Sequence, residues 1–217
     1  MRRCRTVYFA VAILTIAIAA NAGRVHATPL ERHDCYSKDV MRRIEGCSEL
    51  LKLPHLAPSV RAQALALRAL ALSLVGRYDE AVSDYDQALA IQPDHAVTLN
   101  NRAWALYKMG RINEAVPDVE KSIRHDNSSP HAFDTRAHLR QALGETDRAY
   151  GDYRRAMGLG GTHMVRLYQC GLQAHGLYHG PVSGIFSESL DTALKACVKR
   201  SNCDPLPPDE ECKAALS

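Results

Sequence analysis

The chain predicts an all-α fold, a solenoid of stacked helical hairpins, from three observations on its 217 residues. Gly76, Gly110 and Gly144 stand thirty-four residues apart. The same step carries Ala69 to Ala103 and Ala137, and Ala81 to Ala115 and Ala149. It also links Arg68, Arg102 and Arg136, Asp84, Asp118 and Asp152, and the apolar Leu89, Ile123 and Met157. A period of that length marks a repeated supersecondary unit. One hairpin cannot bury its own apolar face, so copies stack and leave a long curved surface suited to binding.

The first element is a targeting segment. Met1, Arg2, Arg3, Cys4 and Arg5 precede an apolar stretch, 7–20, of about fourteen residues, short for a bilayer span. Small residues then offer a cut after Ala22 or after Ala27, and a secretory signal peptide over 1–27 is expected in preference to an uncleaved anchor. The whole chain has 27 Lys and Arg against 24 Asp and Glu. Three arginines leave with the first cut and Arg24 also with the second, so the mature chain is close to neutral and its charge gives no argument for a nucleic-acid partner. Cys35, Cys47, Cys170, Cys197, Cys203 and Cys212 remain, an even set flanking the repeats, which in an exported chain points to disulfides.

Over 28–61, Ser37 or Asp39 caps a helix through Val40, Ile44, Cys47, Leu50 and Leu51 that Pro54 ends, a cap for the first repeat. Twelve residues of continuous helix would hold Cys35 and Cys47 about 18 Å apart. Either the chain folds back before Arg42 or these cysteines take other partners. In the first unit a helix over 62–75 leads to Gly76 and a second over 79–90 returns. Ala69, Ala81 and Ala88 allow close approach, and Leu65, Leu72, Val82, Tyr85 and Leu89 supply buried area. Pro93 stops the second helix, Ser129 and Pro130 open a new one, and Pro117 is placed in an opening turn.

These residues resemble the tetratricopeptide repeat family over 62–163, in units 62–95, 96–129 and 130–163. Leu65, Leu99 and Phe133 hold a place often given to tryptophan, Asn127 and Gly161 stand where Pro93 would recur, and Arg140 replaces an apolar residue. Arg140 suggests that the third unit packs differently because something else docks there. A fourth unit would need glycine at Tyr178 and alanine at Ser183, so the repeat is expected to end near His163.

From Val165 the composition shifts. Tyr168, Gln169, Leu172, Gly176, Tyr178, Gly180, Val182, Gly184 and Phe186, followed by a helix over 188–200, resemble the small helical peptidoglycan-binding module of bacterial cell walls. Ser183, Ser187, Leu190 and Cys197 depart from its pattern, so the fold transfers better than the ligand. The resemblance implies a small disulfide-stapled module over 164–217, with Gln169, Tyr178 and Phe186 as candidate glycan contacts. Of the three connectivities open to its four cysteines, Cys170 with Cys197 and Cys203 with Cys212 is preferred.

The family resemblance puts Asn100, Trp104, Tyr107, Lys108, Asp134, His138 and Gln141 on the concave side as a protein-binding groove. Trp104, the single tryptophan, serves a ligand there or packs on the next helix. The Arg and Asp ladders read as an ion pair repeated inside each hairpin rather than an anion site. Cys170, His175 and His179 read as disulfide and module residues rather than metal ligands. Asn127, Ser128 and Ser129 form a glycosylation sequon that marks an exposed loop. No catalytic frame is present in the sequence.

The expected protein is therefore a non-catalytic periplasmic or secreted adaptor with a protein or peptide partner, a possible peptidoglycan tether, no cofactor, no nucleic acid and no membrane span after cleavage. Two rivals are an accessory subunit or hydrolase of cell-wall metabolism, and a structural assembly protein that binds no glycan.

Overall fold

The computed structural model describes residues 34–206. The signal segment 1–27, Cys4 and Cys212 lie outside the described residues. Eight helices and no strand occur among those described: α1 Val40–Leu51, α2 Pro58–Leu74, α3 Tyr78–Ile91, α4 Ala96–Lys108, α5 Ile112–His125, α6 Pro130–Ala142, α7 Thr146–Ala174 and α8 Glu188–Cys197. None is long and apolar enough to cross a membrane. The fold is all-α, with hairpins α2/α3, α4/α5 and α6/α7 stacked in order behind the capping helix α1.

The Asp39 carboxylate caps α1 by accepting from Arg42 N at 2.9 Å. Because α1 starts only at Val40, the chain reverses ahead of it, and Cys35 and Cys47 form a disulfide with Cα atoms 4.3 Å apart. Of the two alternatives left by the sequence, the fold-back is the one adopted. Gly46 makes it possible, since a Cβ there would meet the backbone carbon of Asp34 and the nitrogen of Cys35 at 2.6 Å.

Each hairpin turns on a left-handed glycine, with φ of 77° at Gly76, 74° at Gly110 and 77° at Gly144. The next amide closes the helix end each time, Arg77 N to Leu72 O at 2.9 Å, Arg111 N to Leu106 O at 2.9 Å and Glu145 N to Arg140 O at 2.8 Å. The alanines of both ladders, 69, 103 and 137 and 81, 115 and 149, have no exposed surface, so paired helices close to backbone contact around them. Leu65, Leu72, Val82, Tyr85 and Leu89 are buried beside them, each contributing about 1.5–3 kcal/mol. Pro117 lies in the second turn of α5, not the first, because that helix begins at Ile112.

Three ion pairs repeat with the hairpins. Arg68 grips Asp84, Arg102 grips Asp118 and Arg136 grips Asp152, each with two N–H···O bonds of 2.6–2.8 Å. The remaining guanidinium nitrogen reaches back to the preceding element, to Ser48 at 3.1 Å, Asp86 at 2.7 Å and Glu120 at 3.1 Å. Each arginine thus joins three helices. Arg140 adds itself to the last of these clusters through Asp152 at 2.6 Å and Glu120 at 3.6 Å, which accounts for its charge at an otherwise apolar position.

Helix α7 bends at Gly161, where φ is 60° and ψ is −150°, into arms 146–160 and 162–174. The second arm lies on α6 in the next place of the stack, with Tyr168 thirty-four residues after Asp134 and hydrogen-bonded to it. Gly171 stands at the ladder position of Ala137, and the left-handed glycine after the arm is Gly176, φ 64°, two residues short of the repeat step. The step therefore reaches one helix beyond His163. Ser187 caps α8 by accepting from Leu190 N at 3.2 Å. α8 ends at Cys197, short of the expected Arg200, and Arg200 N turns back onto Cys197 O.

Cys197 pairs with Cys203, Cα atoms 5.3 Å apart, and this corrects the expected partners Cys170 for Cys197 and Cys212 for Cys203. The early end of α8 is the reason, because it returns the chain to Cys197 within six residues. Cys170 is disulfide-bonded as well. Ala137, Tyr153 and Met157 share one core with Met164, Tyr168, Leu172, Leu190 and Leu194, so the C-terminal helices cap the solenoid through a continuous apolar interior.

Candidate protein-binding groove

The first helices of the hairpins, α4 and α6, and the second arm of α7 present the same face at thirty-four-residue steps. Asn100, Asp134 and Tyr168 form one row, Trp104, His138 and Leu172 another, and Tyr107, Gln141 and His175 a third. The rings of Trp104 and His138 meet edge to face at 5.2 Å, and Tyr107 is 5.7 Å from the same imidazole. Tyr153 follows at 5.2 Å and Tyr168 at a further 5.8 Å, which makes a ladder of rings running from the half-buried Trp104 into the core. Lys108 Nζ lies 5.5 Å over the Trp104 ring.

The seven expected groove residues divide by depth. Trp104, Tyr107 and Gln141 are half-buried and Lys108 is exposed, whereas Asn100, Asp134 and His138 are buried. Trp104 both packs on the next helix, against His138, and keeps an open face. Asn100 Oδ1 has no hydrogen-bond partner among the described residues.

Asp134 and His138 form the floor. Tyr168 donates its hydroxyl to Asp134 Oδ1. His138 Nδ1 lies 2.9 Å from the Asp134 carbonyl oxygen, and Nε2 lies 2.9 Å from Asp204 Oδ1. Both neighbours are acceptors, so both ring nitrogens carry hydrogen and the imidazole is a cation. Burial works against that charge, but Asp134 and Asp204 outweigh it and push His138 up to about 9. Asp134 is raised by burial, with His138 and the Tyr168 hydroxyl opposing. For Asp204, burial raises the carboxyl, and the bond and charge of His138, the Leu206 amide and Lys108 together outweigh it, leaving it below its ordinary value.

Asp204 belongs to the segment that follows the Cys197–Cys203 disulfide, and that segment crosses the groove at the third hairpin. Gln141 Nε2 donates to Arg200 O at 3.0 Å and Cys203 O at 2.8 Å, while its Oε1 accepts from the Tyr153 hydroxyl at 2.8 Å. His175 Nε2 lies 2.9 Å from Asp204 O. Tyr168 and His175 were reachable from the sequence by continuing the thirty-four-residue step. Asp204 was not, since no periodicity places the segment after α8.

The three candidate glycan contacts are not brought together on a surface. Gln169 is fully buried, donating to Ile185 O at 3.0 Å and accepting from Gly184 N at 2.8 Å, and so holds the loop between α7 and α8. Tyr178 is buried and donates to Pro181 O at 3.1 Å. Phe186 alone is exposed, with the Arg154 guanidinium 4.1 Å over its ring. Of the histidine and cysteine set near α7, Cys170 is disulfide-bonded and His175 faces Asp204, and no group of three potential metal ligands occurs among the described residues.

Comparison with known proteins gives a family match for part of the chain. No curated protein matches it. Among solved structures it is similar to the NMR structure of the first TPR domain of the human RPAP3 protein, 27% identical, covering 48% of this chain and 80% of that one with a TM-score of 0.45. Residues 60–128 match the family model for the tetratricopeptide repeat, a stretch that holds α2 to α5.

Proposed function

We propose that this protein is a non-catalytic adaptor that takes a protein or peptide partner in the concave groove of its stacked hairpins and works in the bacterial cell envelope after export. The observation that carries the reading is the open half of the groove, where Trp104, Tyr107 and Lys108 stand together on α4. An aromatic anchor beside a cation suits a protein contact, and stacked hairpins hold it preorganised, so little entropy is lost on binding. Paired cysteines support an oxidising compartment.

A photo-crosslinker placed at Lys108 in living cells tests the partner. It should capture one predominant protein, and the same group at the exposed Gln87 of α3 should not. Equal capture at both positions would count against the groove. Export is checked by fractionation and a thiol count on the processed chain, which should show few free thiols before reduction.

A peptidoglycan tether over 165–200 rests on resemblance of sequence, and Phe186 is the one candidate contact with an open face. Co-sedimentation with purified sacculi, lost on Phe186→Ala, would establish it. Absence of sedimentation leaves the adaptor without a wall anchor, and turnover of wall fragments by the purified chain would replace the adaptor with a hydrolase.

A further inference from the structure

The groove at the third hairpin is already filled by the chain itself, which buries Cys203 and Pro205 and adds a set of polar contacts to that packing. The side chain of Asp204 is 40% exposed, yet its carboxylate meets a buried cation at 2.9 Å. Gln141 grips two main-chain carbonyls, Arg200 O and Cys203 O, at the two ends of one turn. The polar contacts of 203–206 with α6 are thus a carboxylate on a cation and backbone on an amide, groups that a peptide ligand also offers. Leu206 N donates to the Asp204 carboxylate and the Asp204 backbone meets His175, while the Leu206 side chain packs against the core.

We propose that residues 203–206 are an intramolecular ligand of the groove, latched by Asp204 on His138, and that a partner segment presenting a side-chain carboxylate takes their place. The proposal rests on the concave face being the binding face and adds the chemistry of what binds there. Asp134, shared with Tyr168, faces the cation with Oδ2 3.5 Å from Nδ1, so Asp204 supplies the only acceptor seen at Nε2 among the described residues, and a carboxylate is the group suited to replace it. Lys108 adds positive charge beside Asp204 at the open end of the groove. Being tethered, the segment acts at an effective concentration on the order of millimolar, so a free peptide competes only when the latch is weakened or when it also engages Trp104 and Lys108.

The test uses the processed full chain, its Asp204→Asn and His175→Ala variants, and a synthetic peptide with the sequence of residues 201–208 carrying serine in place of the cysteine. A second peptide has asparagine for the aspartate. Hydrogen exchange at the amides of Cys203, Asp204 and Leu206 should rise at least tenfold in both variants while 167–172 stays protected. The aspartate peptide should then bind the variants at least tenfold more tightly than the parent chain, read by Trp104 emission, and the asparagine peptide should bind none. His175→Ala leaves the groove floor intact and lies on an exposed side chain, so it serves if Asp204→Asn lowers the melting temperature. Unchanged exchange in both variants would show a fixed cap and overturn the proposal. Faster exchange with no aspartate-peptide binding would overturn it too, because the segment would then be a loose end and no ligand. Neither failure touches the capture of a cellular partner at Lys108, which tests the groove alone.

Discussion

Arg102 and Asp118 face each other across the second hairpin with two parallel bonds of 2.6 and 2.7 Å, and the same guanidinium reaches Asp86 of the first hairpin at 2.7 Å. One side chain therefore holds both a hairpin and its joint to the neighbour. Asp118 is 10% exposed and Arg102 23%, so the pair is shielded enough for geometry to matter. Asp118→Ala should lose about 2 kcal/mol by leaving the guanidinium half satisfied. Arg102→Met with Asp118→Ala should recover about half of it, and urea melts of the four-member cycle measure the coupling.

Glycines of two kinds give a contrast. Gly110 has open space for a Cβ, so Gly110→Ala should cost only the left-handed strain, about 1 kcal/mol. Gly46 has none, and Gly46→Ala must push the N-terminal turn off α1, at about 3 kcal/mol. Thermal melts of the two variants should rank them in that order.

The pH dependence follows from the groove floor. His138 is faced by Asp134 and His131 from α6, by Tyr107 and Lys108 from α4, by Tyr153 and Tyr168 from α7 and by Asp204 from the terminal segment. Its folded value of about 9 lies above the ordinary 6.5, so its contribution is complete below pH 6.5 and is lost as pH rises through about 9. Asp204 is lowered, so its share is present above the ordinary carboxylate range and fails as pH falls through it. Asp134 is raised by burial and opposes, costing stability as pH rises through that range. The melting temperature should therefore fall between pH 6.5 and 9.5, and Asp204→Asn should shrink that fall.

Much of this fold was legible because its determinants recur. A left-handed glycine, two buried alanines and an ion pair at a fixed step can be read without coordinates, and all three ion pairs form as the ladders indicated. What escaped was determined by contacts distant in sequence. Gln169 looks like a module residue until its amide is seen closing on Gly184 and Ile185. The partner of Cys197 depended on where α8 stops, and the groove floor depended on Asp204, sixty-six residues from His138.

Trp104 is the proposed anchor of the open groove. The affinity of the partner captured at Lys108, measured by calorimetry against the parent chain and Trp104→Ala, tests it most directly. The predicted result is at least a tenfold loss with helical content unchanged. Unaltered affinity in a folded Trp104→Ala chain would place the partner on another surface and contradict the account.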